Sequence, residues 1–331
     1  MSKLIKPVKI GFLGTGSIAA TVSATLRRMP DMELFAAASR TQERADAFAA
    51  AQGFQKAYGS YEELVEDPDV ELVYVATPHS RHYEDMRLCI ENGKPVLCEK
   101  AFTMNAGEAE SIRALAREKG VLCAEAIWTR YMPSRQMINE LLADGVIGDV
   151  HTLTANLSYT ISRKQRVIDP ELAGGALLDV GIYGLNFAVM HLGTEIARID
   201  TSMRMTDTGV DGMESITLQY EDGKMAVLTH GIWARGDRKG IFYGDKGYMI
   251  VENINDPSAI EIYDAAGSLT ERLAVPAQIS GYEYEFRECA ECLAEGRTET
   301  SSMPLEDSVR MMRLMDGIRA QWGLIYPKEK V

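Results

Sequence analysis

The chain has 331 residues, of which 46% are hydrophobic and 25% are charged, and its formal net charge is −13 at pH 7. That length predicts about two domains with separate cores, and the charge argues against nucleic acid or an anionic membrane surface as partners, since both would repel the protein. No apolar run is long enough to span a membrane, and Met1 to Lys6 is too short a leader before the first strand for a signal peptide, so we expect a cytosolic protein.

The first strand, Val8 to Leu13, leads directly into Gly14-Thr15-Gly16-Ser17-Ile18-Ala19 and then into a helix-forming run. This order is typical of a dinucleotide-binding turn, in which the first glycine allows a tight turn and the second lets the backbone approach a pyrophosphate. The free N–H groups at the helix start would then face the phosphates. For the glycine pattern alone, a plain tight turn is the alternative interpretation.

The second strand, Met32 to Ala38, ends at Ser39 and Arg40 and not at an acidic residue. Proteins built for NAD usually place an acid here to bind the ribose 2′-hydroxyl. Ser39 and Arg40 suit a 2′-phosphate better, as does Arg44 in a helix that Thr41 is suited to cap. The sequence therefore predicts NADP(H), against the alternative of a solvated arginine pair at a helix start.

Further buried strands alternate with helices of 10 to 15 residues up to residue 127. This alternation predicts a doubly wound parallel sheet, a Rossmann domain over residues 1–127. Residues at the carboxyl ends of such strands face the ligand crevice, although a solvated strand-to-helix turn is the alternative for the histidines. The expected cofactor contacts here are Thr77, Pro78, His79 and His82 after one strand, and Glu99 and Lys100 after the next.

The sequence pattern changes in the second half, residues 128–331, from alternating strands and helices to a series of strand-like segments. Alternating segments at 148–159, 215–220, 224–231 and 239–252 are separated by glycine-containing turn signals. They predict an α+β domain with an open, largely antiparallel sheet, one face covered by helices. The uncovered face predicts a homodimer or larger homo-oligomer. The last helix, Leu305 to Trp322, is a candidate to pack on the first domain.

The five cysteines are scattered along the chain. Cys289 and Cys292 have the spacing of half a metal site, but the sequence supplies no second cysteine pair and no nearby histidine. We therefore predict no metal.

Five separated motifs resemble the glucose-fructose oxidoreductase and inositol dehydrogenase (Gfo/Idh/MocA) family. They are the turn at 14–19, Thr77-Pro78-His79 with His82, Glu99-Lys100, the segment 125–133, and the segment 174–183. The segment 125–133 is most similar to the branch of dimeric dihydrodiol dehydrogenases and NADP-dependent D-xylose dehydrogenases. One departure is Ala101, where the family usually has proline after the Glu-Lys pair.

The resemblance implies three catalytic residues, Lys100, Asp179 and Tyr183. The residues alone leave alternatives: Lys100 ends a buried strand and could simply pair with Glu99. Asp179 and Tyr183 are four residues apart, so a helix would project both from one face. Asp179 lies among apolar residues, where an unpaired acid is costly, and a lysine across the crevice would pair it.

Hydride transfer to nicotinamide requires a group that takes or gives the hydroxyl proton. The resemblance implies Tyr183 as this acid/base, Lys100 as its electrostatic partner and a donor to the substrate oxygen, and Asp179 as the orienting group. A direct proton role for Lys100 is the alternative.

The expected substrate is a sugar, polyol or related diol, held by residues near the domain junction. Trp128 and Arg130 are expected at the nicotinamide end, with Trp128, Leu157 and Tyr159 on the substrate side. Dihydrodiol dehydrogenases are expected to have an aromatic residue near the position of Leu157, which argues against an aromatic dihydrodiol.

Two other functions fit the same fold. A nucleotide-binding sensor without turnover would have no need of all three catalytic residues. A glycoside hydrolase using bound nicotinamide should carry an acid where Ser39 and Arg40 stand.

Overall fold

The structure is a computed structural model that describes residues 6–330. Met1 to Ile5, which bear on the signal-peptide expectation, and Val331 lie outside the described residues. The chain divides into two compact units, one of residues 1–128 with 278–312 and one of residues 129–277 with 313–331.

The strands are β1 Val8–Leu13, β2 Met32–Ala38, β3 Lys56–Tyr58, β4 Leu72–Val75, β5 Val96–Glu99, β6 Cys123–Ala126, β7 Val150–Ser158, β8 Ile196–Met205, β9 Asp211–Tyr220, β10 Met225–Gly231, β11 Gly240–Gly244, β12 Gly247–Val251, β13 Ala259–Asp264 and β14 Leu269–Ala274. The α-helices are α1 Ser17–Leu26, α2 Gln42–Gln52, α3 Tyr61–Glu66, α4 His79–Glu91, α5 Ala106–Lys119, α6 Pro133–Ala143, α7 Gln165–Ile168, α8 Ile182–Leu192, α9 Glu283–Glu295 and α10 Leu305–Trp322.

The first unit is built on a parallel sheet with strand order β3-β2-β1-β4-β5-β6. Strands β4, β5 and β6 are buried along their whole length, as expected of parallel strands covered on both faces. The chain order reverses between β1 and β4, the place where doubly wound sheets bind ligands. The predicted Rossmann sheet is confirmed.

Helix α9 belongs to the first unit, which corrects the expected division into residues 1–127 and 128–331. Its buried side chains Phe286, Cys289 and Cys292 join the same apolar core as Phe12 of β1 and Tyr74 of β4. The physical reason is that α9 has one apolar face, and burying that face stabilises the first unit. Helix α10 starts in the first unit and passes into the second after Met312.

The second unit is built on an eight-stranded sheet with order β14-β13-β12-β11-β7-β10-β9-β8. Only the β7–β10 pair is parallel among these neighbours, so the predicted largely antiparallel sheet is confirmed. The edge strands β8 and β14 were not predicted, because their mostly exposed or half-exposed residues lack a clear apolar alternation.

A buried helical segment accompanies this sheet. A π-helical turn, Leu177–Gly181, continues into α8, and every residue from Leu177 to Val189 is buried. The stretch Pro170–Leu192 has the length and hydropathy of a membrane span, but 94% of its apolar window is buried within the protein. Such burial is typical of a core helix.

Candidate active site

The glycine turn joins β1 to α1 at the point where the strand order reverses. The Gly14 N–H donates to the Ala38 carbonyl at the end of β2 over 3.0 Å. Gly14 has a φ of +101°, and a Cβ there would come within 2.8 Å of the Ala76 carbonyl oxygen after β4. A side chain is therefore excluded at Gly14 by both conformation and space.

Gly16 is the N-cap residue of α1 and has no side chain to cap the helix. A Cβ on Gly16 would meet no described atom within 4 Å, so a phosphate has room to approach the backbone there. The first N–H groups of an α-helix, with the positive end of its dipole, bind anions. Thr15, Ser17 and Ile18 belong to the same turn, and the Thr15 hydroxyl lies 3.2 Å from that of Ser39.

The end of β2 is basic. Ser39 is buried, whereas Arg40 and Arg44 are exposed, and Thr41 caps α2 by accepting from the Arg44 N–H over 3.4 Å. Burial and the Asp85 charge raise the pKa of Tyr61, while Arg40, Arg81 and Arg44 oppose this rise electrostatically. The three guanidinium groups therefore act electrostatically on one tyrosine of the first unit.

His82 ties the ends of two neighbouring strands together. Its Nδ1 lies 2.8 Å from the Ala101 carbonyl and its Nε2 lies 2.9 Å from the Thr77 carbonyl. Burial lowers the pKa of His82 to about 4, so the neutral ring donates to one of the two carbonyls at a time. His79, the first residue of α4 after the N-cap Pro78, is buried beside the His82 ring.

Glu99 and Lys100 lie at the end of β5. Glu99 is buried and accepts a short hydrogen bond from the Tyr74 hydroxyl of β4. Lys100 is half-buried, and the peptide bond between Lys100 and Ala101 is cis. The order Glu99-Lys100 therefore places an acid inside the sheet and a cation at its carboxyl edge.

Trp128 and Arg130 occupy different units. Trp128 ends the first stretch of the first unit, and its ring stacks on Tyr282 with 4.6 Å between ring centroids. Arg130, in the second unit, is buried and donates from Nε to Asn186 Oδ1 over 2.6 Å. Arg130 is therefore tied to α8, three residues beyond Tyr183.

Asp179 and Tyr183 lie on the buried helical segment of the second unit. Asp179 is in the π-helical turn, where wide turns are frequent at functional sites, and Tyr183 is in the first turn of α8. Arg166 donates from Nη1 to Asp179 Oδ1 over 2.8 Å. Arg166 is thus one partner of Asp179 within the second unit, and the pairing of Asp179 with a lysine stays a prediction.

Two of the proposed substrate-side residues, Leu157 of β7 and Tyr159 just after this strand, differ in exposure. Leu157 is fully buried, on the face of β7 that also buries Leu153 and Ala155. Tyr159 is half-buried, and the Arg238 guanidinium lies 5.9 Å from its ring centroid.

The sequence interpretation missed several polar residues. Arg166 lies two residues after the basic pair Arg163-Lys164, and this run of basic residues is the sequence signal that could have pointed to Arg166. Glu214 and His230 occupy positions that β9 and β10 otherwise fill with buried apolar side chains. A polar residue in the apolar phase of a strand is the signal that could have found this pair.

The predicted residues therefore group within each unit. The glycine turn, Ser39, Thr77, His82 and Lys100 come from consecutive strand ends of one parallel sheet, and Asp179, Tyr183 and Arg130 converge on the helical segment of the second unit. Among the described residues no cluster of three or more metal-ligating side chains has the geometry to hold a metal ion.

Comparisons with known proteins cover almost the whole chain. Residues 8–127 match an oxidoreductase family with an NAD-binding Rossmann fold, and residues 136–250 match the GFO/IDH/MocA C-terminal domain. The chain is 34% identical over 333 residues to a trans-1,2-dihydrobenzene-1,2-diol dehydrogenase of Mus musculus, covering 97% of this chain and 98% of the mouse protein.

Two solved oxidoreductase structures have a similar fold. A 3-ketoreductase from Actinomadura kijaniata, in complex with NADP and TDP-benzene, superposes with a TM-score of 0.86 at 27% identity, covering 95% of this chain and 98% of that one. An aldose-aldose oxidoreductase from Caulobacter crescentus gives a TM-score of 0.86 at 23% identity, over 96% and 98% of the two chains, which supports the fold alone.

Proposed function

The chain belongs to the Gfo/Idh/MocA oxidoreductase family, and on that premise we propose that it is an NADP(H)-dependent dehydrogenase or reductase. It transfers a hydride between nicotinamide and a CH–OH or C=O group of a sugar, polyol or related diol. The observation that carries the proposal is the buried segment on which Asp179, held by Arg166, lies one turn from Tyr183.

The residues of the first unit fit a dinucleotide that carries a 2′-phosphate. The open backbone at Gly16 suits the pyrophosphate, and Ser39 with Arg40 and Arg44 suits the 2′-phosphate. Thr77, Pro78, His79, His82, Glu99, Trp128 and Arg130 complete the proposed cofactor set. The Actinomadura ketoreductase is described with NADP, which supports the same preference.

Tyr183 is the proposed acid/base. When bound, the nicotinamide ring accepts or donates the hydride. The ionised Tyr183 oxygen accepts the proton of the substrate hydroxyl during oxidation, and the Tyr183 hydroxyl gives that proton back to the substrate oxygen during reduction. A free tyrosine, with a pKa of about 10, is ionised in roughly one molecule in a thousand at pH 7, and the ammonium of Lys100 would favour the ionised form. Asp179 orients Lys100 and the substrate hydroxyl.

The substrate class follows from the relatives and from the lining residues. The mouse relative is named a dihydrobenzenediol dehydrogenase and the Actinomadura protein a 3-ketoreductase, and these names support chemistry at a hydroxyl- or keto-bearing carbon of a small molecule. We assign direct contact to Trp128 and half-buried Tyr159, and packing behind the site to Leu157, which is fully buried. An aliphatic Leu157 favours a sugar or polyol over an aromatic diol.

The face of the second sheet opposite its buried side chains supports a homodimer or larger homo-oligomer. Cross-strand rows there mix apolar and aromatic side chains with polar ones, and Tyr248 stacks on Tyr263 with 4.6 Å between centroids. The apolar and aromatic members include Met225, Tyr243, Val227, Ile241 and Ile250, and the polar members include Thr152, Thr154, Gln219 and Glu261. Burying such a face against a second copy removes apolar surface from water. The five cysteines are buried and free, which fits a reducing, cytosolic location.

The test of the proposed function is nucleotide titration followed by turnover in the same sample. NADPH and NADH are titrated by fluorescence, and nicotinamide absorbance is then followed with a panel of aldoses, polyols, cyclic diols and dicarbonyls. We expect tighter NADPH binding and turnover of at least one sugar or polyol. NADPH binding with no turnover by the panel would indicate a sensor, and a preference for NADH would contradict the interpretation of Ser39 and Arg40.

A further inference from the structure

Three glycines of the segment that carries Asp179 and Tyr183 face three buried polar side chains. At each of them a Cβ atom would overlap one polar atom of strand β9 or β10. The pairs are Gly175 with Asp211 Oδ1, Gly181 with Glu214 Oε1, and Gly184 with His230 Nε2. Each polar atom therefore occupies the space that a side chain on the helical segment would need.

The three polar side chains, which we call the buried row (Asp211, Glu214 and His230), are joined to one another and to the segment. His230 Nδ1 lies 2.9 Å from Glu214 Oε1, at hydrogen-bond distance, and the two residues are cross-strand partners in the β9–β10 pair. Asp211 Oδ2 accepts the Leu177 N–H, at the start of the π-helical turn, over 2.6 Å. All three side chains are at most 3% exposed.

His230 Nε2 has no conventional hydrogen-bond partner among the described residues. Asp211 Oδ1 and Glu214 Oε2 receive no N–H or hydroxyl donor from those residues, but the two carboxyl groups are close enough to share a hydrogen bond when one of them is protonated. Two of them, Asp211 Oδ1 and His230 Nε2, are the atoms that lie against glycine Cα groups, where weak C–H contacts are available. Burying apolar side chains at these positions would cost less free energy than burying polar ones. Packing support for the helix alone therefore does not explain the buried row.

The glycine contacts bracket both proposed catalytic residues. Gly175 and Gly181 lie on either side of Asp179, and Gly181 and Gly184 lie on either side of Tyr183. The backbone on each side of each residue therefore rests directly on the buried row, with no intervening side chain. Because interiors are close-packed, a change of a few tenths of an ångström in the row is transmitted to Asp179 and Tyr183.

From this juxtaposition we propose that Glu214 and His230 are positioning residues for the Asp179–Tyr183 pair, acting through Gly181 and Gly184. The inference rests on the proposed hydride-transfer function. Glu214 and His230 set the path of the helical segment, and thereby the angle at which the Tyr183 hydroxyl meets the substrate. They act mainly on turnover, because the nucleotide-binding turn belongs to the other unit and Arg130 is the one proposed cofactor contact in the second unit.

A double-mutant cycle between Gly184 and His230 tests the proposal. We expect Gly184→Ala to lower kcat by about tenfold or more, because the new methyl group displaces the imidazole. In a His230→Ala background that space is vacant, and the same Gly184→Ala change should cost less than about twofold. The dissociation constant for NADPH should stay within about twofold in all four proteins. Equal loss of kcat in both backgrounds, or a parallel loss of NADPH affinity, would overturn the proposal.

The control glycine is Gly317 of α10, in the same unit, where a Cβ would meet no described atom within 4 Å. Gly317→Ala should leave kcat unchanged.

Should Gly184→Ala fail to fold, His230→Asn supplies the same test. The asparagine amide is able to donate to Glu214, but it lacks the atom that faces Gly184. We expect His230→Asn to retain at least about threefold more kcat than His230→Ala, with KM unchanged in both. Equal kcat in the two variants would contradict the proposal. A wild-type protein that binds NADPH but turns over no substrate would contradict the proposed function itself, before any variant is compared.

Discussion

Arg166 holds Asp179 through an ion pair of 2.8 Å between Nη1 and Oδ1, although the two side chains differ sharply in burial. The Arg166 side chain is 43% exposed, whereas that of Asp179 is 5% exposed. The guanidinium group of the pair is therefore partly exposed to solvent, whereas the carboxyl group lies in the core. The arrangement places a buried carboxyl group and its guanidinium partner one turn from Tyr183.

Replacing Arg166 with Gln should lower both stability and turnover. Because the change removes one partner of the buried Asp179 carboxyl group, we expect a loss of about 1 to 3 kcal/mol in unfolding free energy. A reoriented Asp179 should lower kcat by about tenfold to 100-fold. Steady-state kinetics and thermal melting measure the two effects. Arg163→Gln, an exposed neighbour in the same basic run, is the control, and equal effects of the two changes would contradict a specific role for Arg166.

Replacing Tyr183 with Phe removes the proposed proton carrier while keeping the ring in the core. We expect kcat to fall by about 100-fold or more, as is usual for loss of a general acid or base, with NADPH affinity nearly unchanged. Stopped-flow or steady-state absorbance of the nicotinamide follows turnover. Tyr243→Phe, on the exposed face of β11, serves as the matched control. Full activity in Tyr183→Phe would end the acid/base assignment.

Replacing Arg40 and Arg44 with Gln tests the 2′-phosphate assignment. Each charge-assisted hydrogen bond lost to a phosphate should weaken NADPH binding by about tenfold or more, whereas NADH, which lacks that phosphate, should be affected little. Fluorescence titration of both nucleotides gives the ratio. Lys119→Gln, an exposed cation in the last turn of α5, controls for the loss of overall positive charge. Equal weakening of both nucleotides would contradict the assignment.

The buried acid Glu214 should make stability fall as pH rises. Burial raises the pKa of Glu214 from 4.5 to about 8, and burial with the nearby Glu214 charge raises that of Asp211. The folded protein thus keeps protons that the unfolded chain releases. The resulting stabilisation is complete below about pH 4.5 and is lost as pH passes through about 8.

Other groups near Glu214 are His230, whose pKa burial lowers to about 3, and Tyr326, whose pKa burial raises. In the folded protein neither group changes charge between pH 6 and 9. Because His230 of the unfolded chain has a pKa near 6.5 and burial also raises the pKa of Glu285, the share of Glu214 is taken from the difference between wild type and Glu214→Gln. Glu214→Gln should flatten the fall in melting temperature over that range, with the share from Asp211 remaining. Glu221→Gln, at the exposed β9–β10 turn, should leave the profile unchanged. A wild-type slope in Glu214→Gln would contradict this origin.

Local patterns in the sequence were sufficient to predict the Rossmann sheet, the glycine turn and the placement of Ser39 and Arg40 after the second strand. Each depends on residues close together in the chain: an apolar strand, a turn that needs glycine at a φ of +101°, and a helix start. The largely antiparallel second sheet was also predictable, because its central strands alternate between buried and exposed residues.

Contacts between distant residues were decided by the tertiary structure alone. Arg166 reaches Asp179 across 13 positions, and Glu214 meets His230 across 16. Helix α9 returns to the core of the first unit from residue 283 onward. Periodicity tells which face of an element is apolar but not which other element covers it. The glycines at 175, 181 and 184 could be read as ordinary small residues until strands β9 and β10 supplied the polar atoms that fill their missing side-chain space.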